Sequence, residues 1–303
     1  MLKRSKNKLK QGEIMNIATG SVVNKQLEEL IVGKTICKVV ANQNPHSFVW
    51  FAMDTARAFT DDKEADDIAQ YLTNKRIEHV DVNTGGYGLY NFLYTGKRAL
   101  MSDIVPRYTY AEEKPAKKHQ LLLEFDDGSC LSYSASLGGA LFLFEVDKSG
   151  DAIGYRSDFP LINTKDFTYE YFKTLMNAAK GKTLSVKQLL ATKNRIPGID
   201  NNLLQDILWE AGINPKSKIG TLNEDEIYRI FTAIKTVPSA IIAVGGKDID
   251  KDVYGNYGGF HSRVSRNTVG KPCERCGTII RKEAYLGGSV FSCPSCQNEK
   301  TTT

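Results

Sequence analysis

Four cysteines near the end of this chain, Cys273, Cys276, Cys293 and Cys296, form two C-x2-C pairs separated by 16 residues. Pro272 and Gly277 flank the first pair and Pro294 lies inside the second, so each pair sits in a tight turn. This spacing suits tetrahedral thiolate coordination and predicts a single structural Zn2+ as the only cofactor. Four sulfur ligands leave no open position, which excludes a catalytic zinc. Paired disulfides are the competing reading, and a reducing intracellular setting argues against them. Cys37, in the apolar run 36–40, and Cys130, in a strand-like segment, are read as small core residues. His46, His79, His119 and His261 are scattered, with no partner at metal or triad spacing.

The second chemical signal is charge. The net charge of +5 is mild, but the positive residues crowd the two ends. Lys3, Arg4, Lys6, Lys8 and Lys10 open the chain; Arg263, Arg266, Lys271, Arg275, Arg281 and Lys282 surround the cysteines. Clustered Lys and Arg release counterions from a phosphate backbone, so this distribution fits a nucleic-acid partner. Arg266, Lys271, Arg281 and Lys282 are the candidate contacts; an ordinary solvated basic surface is the alternative. No apolar run is long enough to cross a bilayer and none resembles a secretory signal, so a cytoplasmic monomer without membrane association is expected.

The elements that must position these groups fall into blocks. Residues 1–14 read as a basic disordered extension, and Ser21–Leu30 as a helix ending at Gly33. Apolar runs at 35–40, 48–52, 77–82, 87–93, 119–125, 130–133 and 140–146, broken by turns such as Asp126-Asp127-Gly128, predict strands. Tyr87, Tyr90 and Tyr94 are read as cross-strand packing, with base stacking as the alternative. Helical periods follow at 166–179, 185–191, 203–211 and 223–234. Asn223 with Glu226 makes a capping box, Gly212 a stop, and Pro215 a block to continuation. The helices around Gly212–Leu222 resemble an elaborated helix-turn-helix. The Gly-rich stretch 255–270 reads as a linker. The fold class is therefore α+β: a β-sandwich at 15–152, a helical domain at 153–262 and a four-cysteine finger at 263–303.

That order, with Arg195-Ile-Pro-Gly-Ile-Asp-Asn-Asn before Leu203, a Gly-Ile-Asn-Pro turn at 212–215, and Val-Gly-Lys-Pro-Cys leading into the finger, resembles the formamidopyrimidine-DNA glycosylase and endonuclease VIII family. The resemblance spans Met15 to Gln297. It implies a helix-two-turn-helix domain and DNA base-excision repair, in which a damaged base is flipped out of the duplex and excised. It also implies that Asn201 holds a phosphate beside the lesion; without the resemblance Asn201 reads as a plain helix cap.

The family's reactive positions are replaced. Its N-terminal proline, whose amine forms a Schiff base, and the following glutamate fall opposite Met15 and Asn16. Its hairpin lysine falls at Gly85 and its finger arginine at Gly288, and glycine has no side-chain donor. No catalytic residue is assigned. Three functions remain open: binding of damaged or bent DNA without Schiff-base catalysis, a divergent glycosylase in which a carboxylate such as Glu13 or Asp81 activates water, and a protein-binding scaffold.

Overall fold

The computed structural model describes residues 15–41, 49–52, 63–85, 88–134, 139–146, 159–180, 183–192 and 196–301. The basic extension with Glu13, and His46, Tyr87 and Arg195, lie outside them. The first helix, α1 (Ile17–Ile31), is capped by Asn16, whose side-chain oxygen accepts from the Ala18 and Thr19 amides. It therefore begins before the expected Ser21, because Asn16 supplies the oxygen that the first-turn N–H groups need.

Ten further elements complete the N-terminal domain: β1 (Ile36–Ala41), β2 (Val49–Ala52), α2 (Lys63–Leu72), β3 (His79–Gly85), β4 (Gly88–Tyr94), β5 (Arg98–Ser102), β6 (Arg107–Thr109), β7 (Leu121–Phe125), β8 (Cys130–Tyr133) and β9 (Gly139–Glu145). They build a four-stranded sheet, β1-β7-β8-β6, and a five-stranded sheet, β2-β9-β5-β4-β3. The β2–β9 pair is parallel, whereas β1–β7, β3–β4 and β5–β9 run antiparallel. Ile36, Leu93, Leu100, Leu123 and Leu143 meet between the sheets, and α1 adds Val23, Leu27 and Ile31 to the same core. This is the expected β-sandwich. Tyr90 and Tyr94 pack in a second apolar cluster with Phe92 and Met101, so packing is their role.

Cys130 is buried as expected, but Cys37 is exposed, which corrects its reading as a core residue. It lies at the shift in register between Ile36 and Lys38 on an edge strand, and the fully buried Ile36 beside it takes the core-facing position.

The helical domain contains α3 (Tyr169–Lys180), α4 (Val186–Leu190), α5 (Asn201–Ala211) and α6 (Glu224–Ala243) around one core that includes Phe172, Leu204, Ile207, Ile230 and Ile234. Capping boxes start α4 at Ser185–Gln188 and α6 at Asn223–Glu226, and α5 ends on Gly212 at φ +69. Helix α6 continues beyond the expected Ile234 and passes through Pro238. A proline costs about 3 kcal/mol in a helix interior; burial of Val237, Pro238 and Ile241 on the core-facing side offsets it.

Residues 255–270 are folded, correcting their reading as a flexible linker. Gly258 lies against Gly246 so closely that a Cβ would come 1.9 Å from the Gly246 carbonyl carbon. The Gly258 and Phe260 amides donate to Lys247 and Gly246. Just upstream, Val253 is fully buried in the sandwich core, and its carbonyl accepts from Tyr108 N–H at 2.8 Å. Gln26 of α1 bonds Asp252 Oδ2 at 3.0 Å and the Val253 amide at 3.3 Å. The segment after α6 thus clasps the helical domain to the sandwich. The chain closes in an antiparallel hairpin, β10 (Arg281–Tyr285) and β11 (Gly288–Ser292).

Candidate metal centre and nucleic-acid interface

The two turns bring all four thiols together. Their sulfurs lie within 4.8 Å of one another, with Cys273–Cys296 at 4.0 Å and Cys276–Cys293 at 3.4 Å. Zn–S bonds of about 2.3 Å in a tetrahedron require S···S edges of about 3.8 Å, so the set fits one zinc ion. Cys273 and Cys293 are buried, and the Trp209 indole N–H donates to Cys273 Sγ at 3.4 Å, which suits a charged thiolate. Arg275 lies over the Trp209 ring at 4.2 Å, and the buried Gln297 amide donates to Ile213 O at 2.9 Å. Zinc here fixes the finger against the end of α5. This is a structural zinc centre.

At the other end of α5, Asp200 is the cap: its carboxylate accepts from Leu203 N–H at 2.7 Å. Asn201 therefore sits in the first helical turn, which corrects its reading as a cap. Its amide donates to Ser289 O on β11 at 3.1 Å. One turn later Gln205 donates to the same carbonyl at 3.3 Å and accepts from Phe291 N–H at 3.0 Å. Gln205 was not foreseen, although its i,i+4 spacing from Asn201 was a usable signal. The two amides hold β11 along one side of a cavity of about 300 Å3 whose lining includes Asn201, Gln205, Ser289, Arg266 and Lys282. Lys271 and Arg281 are exposed but do not line it. Arg266 also donates to Ile249 O at 3.3 Å, which ties the cation to the clasp segment.

The entrance to α1 is closed. Met15 and Asn16 are 4% and 2% exposed, and Ile17 N–H donates to Gly198 O at 2.9 Å. Asn16 reaches Asp250 Oδ2 at 3.5 Å, and the Thr19 hydroxyl donates to the same oxygen at 3.1 Å. Burial, then the charge of Asp250, pushes the Asp200 carboxyl up to about 7, against the opposing pull of Leu203 N–H, Lys247 and Asn16. Nearby Lys247 and Asp206 form an ion pair at 2.5 Å with both side chains 1% exposed. Asp81 accepts from the Val82 amide beside it at 2.8 Å. Gly85 pairs with Gly88 at the end of β3, and Gly288 pairs with Tyr285 at the tip of the finger hairpin.

A β-sandwich clasped to a helical domain, with a four-thiolate finger docked on α5, defines the class: a two-domain α+β zinc-finger protein. Residues 270–298 match the zinc finger found in FPG and IleRS. A formamidopyrimidine-DNA glycosylase from Lactobacillus johnsonii is 26% identical over 283 residues, 91% of this chain and 95% of that protein. The one from Prochlorococcus marinus is 35% identical over 141 residues, 45% and 47% of the two chains. Among solved structures, MutM (Fpg) from Thermus thermophilus superposes with a TM-score of 0.71 at 19% identity, covering 94% of this chain and all of that one. Lactococcus lactis Fpg, in a complex with DNA containing an abasic site, gives 0.71 at 21% identity over 94% of this chain and 100% of its own. Over nine-tenths of its length the chain is thus similar to formamidopyrimidine-DNA glycosylases, and it shares their fold. No helix among the described residues is long and apolar enough to cross a membrane.

Proposed function

We propose that this protein binds double-stranded DNA as a cytoplasmic monomer, recognises bent or damaged duplex, and acts in base-excision repair without forming a Schiff base. The entrance to α1 carries this reading. Met15 and Asn16 stand opposite the family's proline and glutamate, both are buried, and Asn16 uses its side chain to cap the helix and meet Asp250. Neither residue offers a secondary amine or a carboxylate to a sugar carbon. The cavity beside Asn201, Arg266 and Lys282 supports the DNA half of the reading, because amide donors and two cations suit a phosphodiester. The relatives' names and the Lactococcus lactis complex with abasic-site DNA support the duplex as partner.

One observation favours a second reading, a glycosylase that activates water directly. Asp200 and Asp250 share Asn16 as a neighbour, and a carboxyl pushed up to about 7 is suited to moving protons near neutrality. Incubation with duplexes carrying an abasic site or an oxidised base, with and without borohydride, separates the two. Binding without nicking, base release or trapping is expected. A borohydride-trapped adduct overturns the loss of Schiff-base chemistry, and base release without trapping establishes the water-activating enzyme.

A further inference from the structure

Several lysines turn their ammonium groups into this fold and are well matched there. Lys247 faces Asp206 at 2.5 Å and donates to Asn202 O at 2.9 Å. Lys235 reaches the carbonyls of Ile162, Thr164 and Phe167, and Lys34 meets Asp127 at 2.6 Å and the Tyr108 hydroxyl at 2.9 Å. Lys187 on α4 differs. It is 5% exposed, yet its only acceptor among the described residues is Tyr285 O at 3.1 Å, and no carboxylate there lies within ion-pair distance. Three N–H donors meet one oxygen, and burial pushes the ammonium down to about 8. A buried cation this poorly matched is costly unless an anion completes it.

The space for that anion is open. A Cβ at Gly288 would lie 3.6 Å from Lys187 Nζ, and apart from the glycine's own chain neighbours Nζ is the single heavy atom it would meet within 4 Å. The hairpin tip is exposed backbone with Leu286 at φ +54 and Gly287 at φ +79, so no bulky side chain covers the approach at Gly287 or Gly288. Arg281 and Lys282, both exposed on β10, add positive charge to the same hairpin. A polyanion suits this setting better than an isolated acidic side chain, because several cations engage it together.

We propose that Lys187, beneath Gly288, binds a phosphate oxygen of the nucleic-acid backbone, so that α4 rather than the finger supplies the cation at the hairpin tip. The occupant rests on the DNA-binding reading above; the oxyanion site rests on Lys187 and Gly288 alone.

The test compares wild type, Lys187→Met and Lys187→Arg, each checked for zinc content and Tm. Binding to a duplex with an abasic-site analogue is followed by fluorescence anisotropy over a range of salt. Lys187→Met is expected to weaken binding roughly tenfold, as for loss of a charged hydrogen bond, and to reduce the slope of log K against log salt by about 0.9. Lys187→Arg is expected to keep the slope. A purely structural role, holding Tyr285, would lower Tm and leave the slope intact, which overturns the proposal. In parallel, reductive methylation of Lys187 is measured by mass spectrometry with inorganic phosphate against chloride at matched ionic strength. Phosphate is expected to slow it and to spare the exposed Lys282. Protection by phosphate with an unchanged slope overturns the nucleic-acid assignment and leaves a free-phosphate site. If the wild type binds duplex without salt dependence, the DNA reading fails, and absence of phosphate protection then removes the oxyanion site as well.

Discussion

The zinc finger docks on α5 and the entrance to α1 meets the loop that leads into α5, and they are held in different ways. The finger is local: four thiolates within 24 residues, one hairpin, and contacts with the end of α5, from Trp209 to Cys273 and from Gln297 to Ile213. The entrance is assembled from afar. Asn16 and Thr19 meet Asp250 across more than two hundred residues, and Ile17 meets Gly198. On the proposed reading each keeps the frame of the family it resembles with a changed residue, the finger at Gly288 and the entrance at Met15 and Asn16. Helix packing and metal coordination fix backbone positions, and they place few demands on which side chain points into the cleft.

The comparison breaks most completely at the metal. Cys293→Ser removes a buried ligand, and structural zinc contributes an apparent ~10–16 kcal/mol to small zinc domains. The expected outcome is loss of bound metal in an elemental assay, collapse of the Trp209 near-UV signal and loss of duplex binding. The sandwich keeps its own unfolding transition, because its core contains no finger residue. A single shared transition for both would instead make the finger part of the same cooperative unit.

Next in size is the buried ion pair behind the entrance. Lys247→Met leaves Asp206 charged and unpaired in a site 1% exposed, and breaking such a pair costs about 3–5 kcal/mol. The midpoint of urea unfolding should fall accordingly, while zinc content is unchanged. The clasp comes third. Val253→Ala removes apolar volume from the sandwich core and should cost about 2 kcal/mol. Hydrogen exchange should rise at Tyr108, whose amide bonds Val253 O; unchanged exchange there would mean that the clasp does not tie the domains together.

The same contrast governs how much could be read from sequence. The finger ligands, the capping box at Asn223 and the Gly212 stop are local devices, and each was legible; the equally local box at Ser185 was passed over. Helix α2 escaped notice because Ile68 and Leu72, buried and one turn apart, stand in a segment rich in charged residues. The end of α6 was misplaced because Pro238 is a strong local stop signal that tertiary burial overrides. Glycines 255, 258 and 259 looked like a linker because their reason is a partner elsewhere: Arg107 for Gly255, Gly246 for Gly258 and Val244 for Gly259. Asn201 was expected just ahead of this helix rather than in its first turn, and its hold on Ser289, like that of Gln205, depends on where the finger docks.

The smallest expected effect bears most directly on the entrance. Asp200 is held near 7 in the folded protein, against about 3.9 for a free aspartate. Between those values the folded chain keeps a proton that the unfolded chain has released, so stability falls as pH rises through the window and levels off above it. Asp200→Asn carries no charge and still caps α5, since Asn and Asp are comparable caps. The variant should therefore match the wild type at about pH 4 and gain on it steadily as pH rises toward about 8, read from urea midpoints. Should the wild type instead gain on the variant as pH rises, the Asp200 charge is stabilising and Lys247 outweighs Asp250 at this point. In that case the entrance holds a settled ion network rather than a carboxyl poised to exchange protons, and the water-activating reading loses its one structural support.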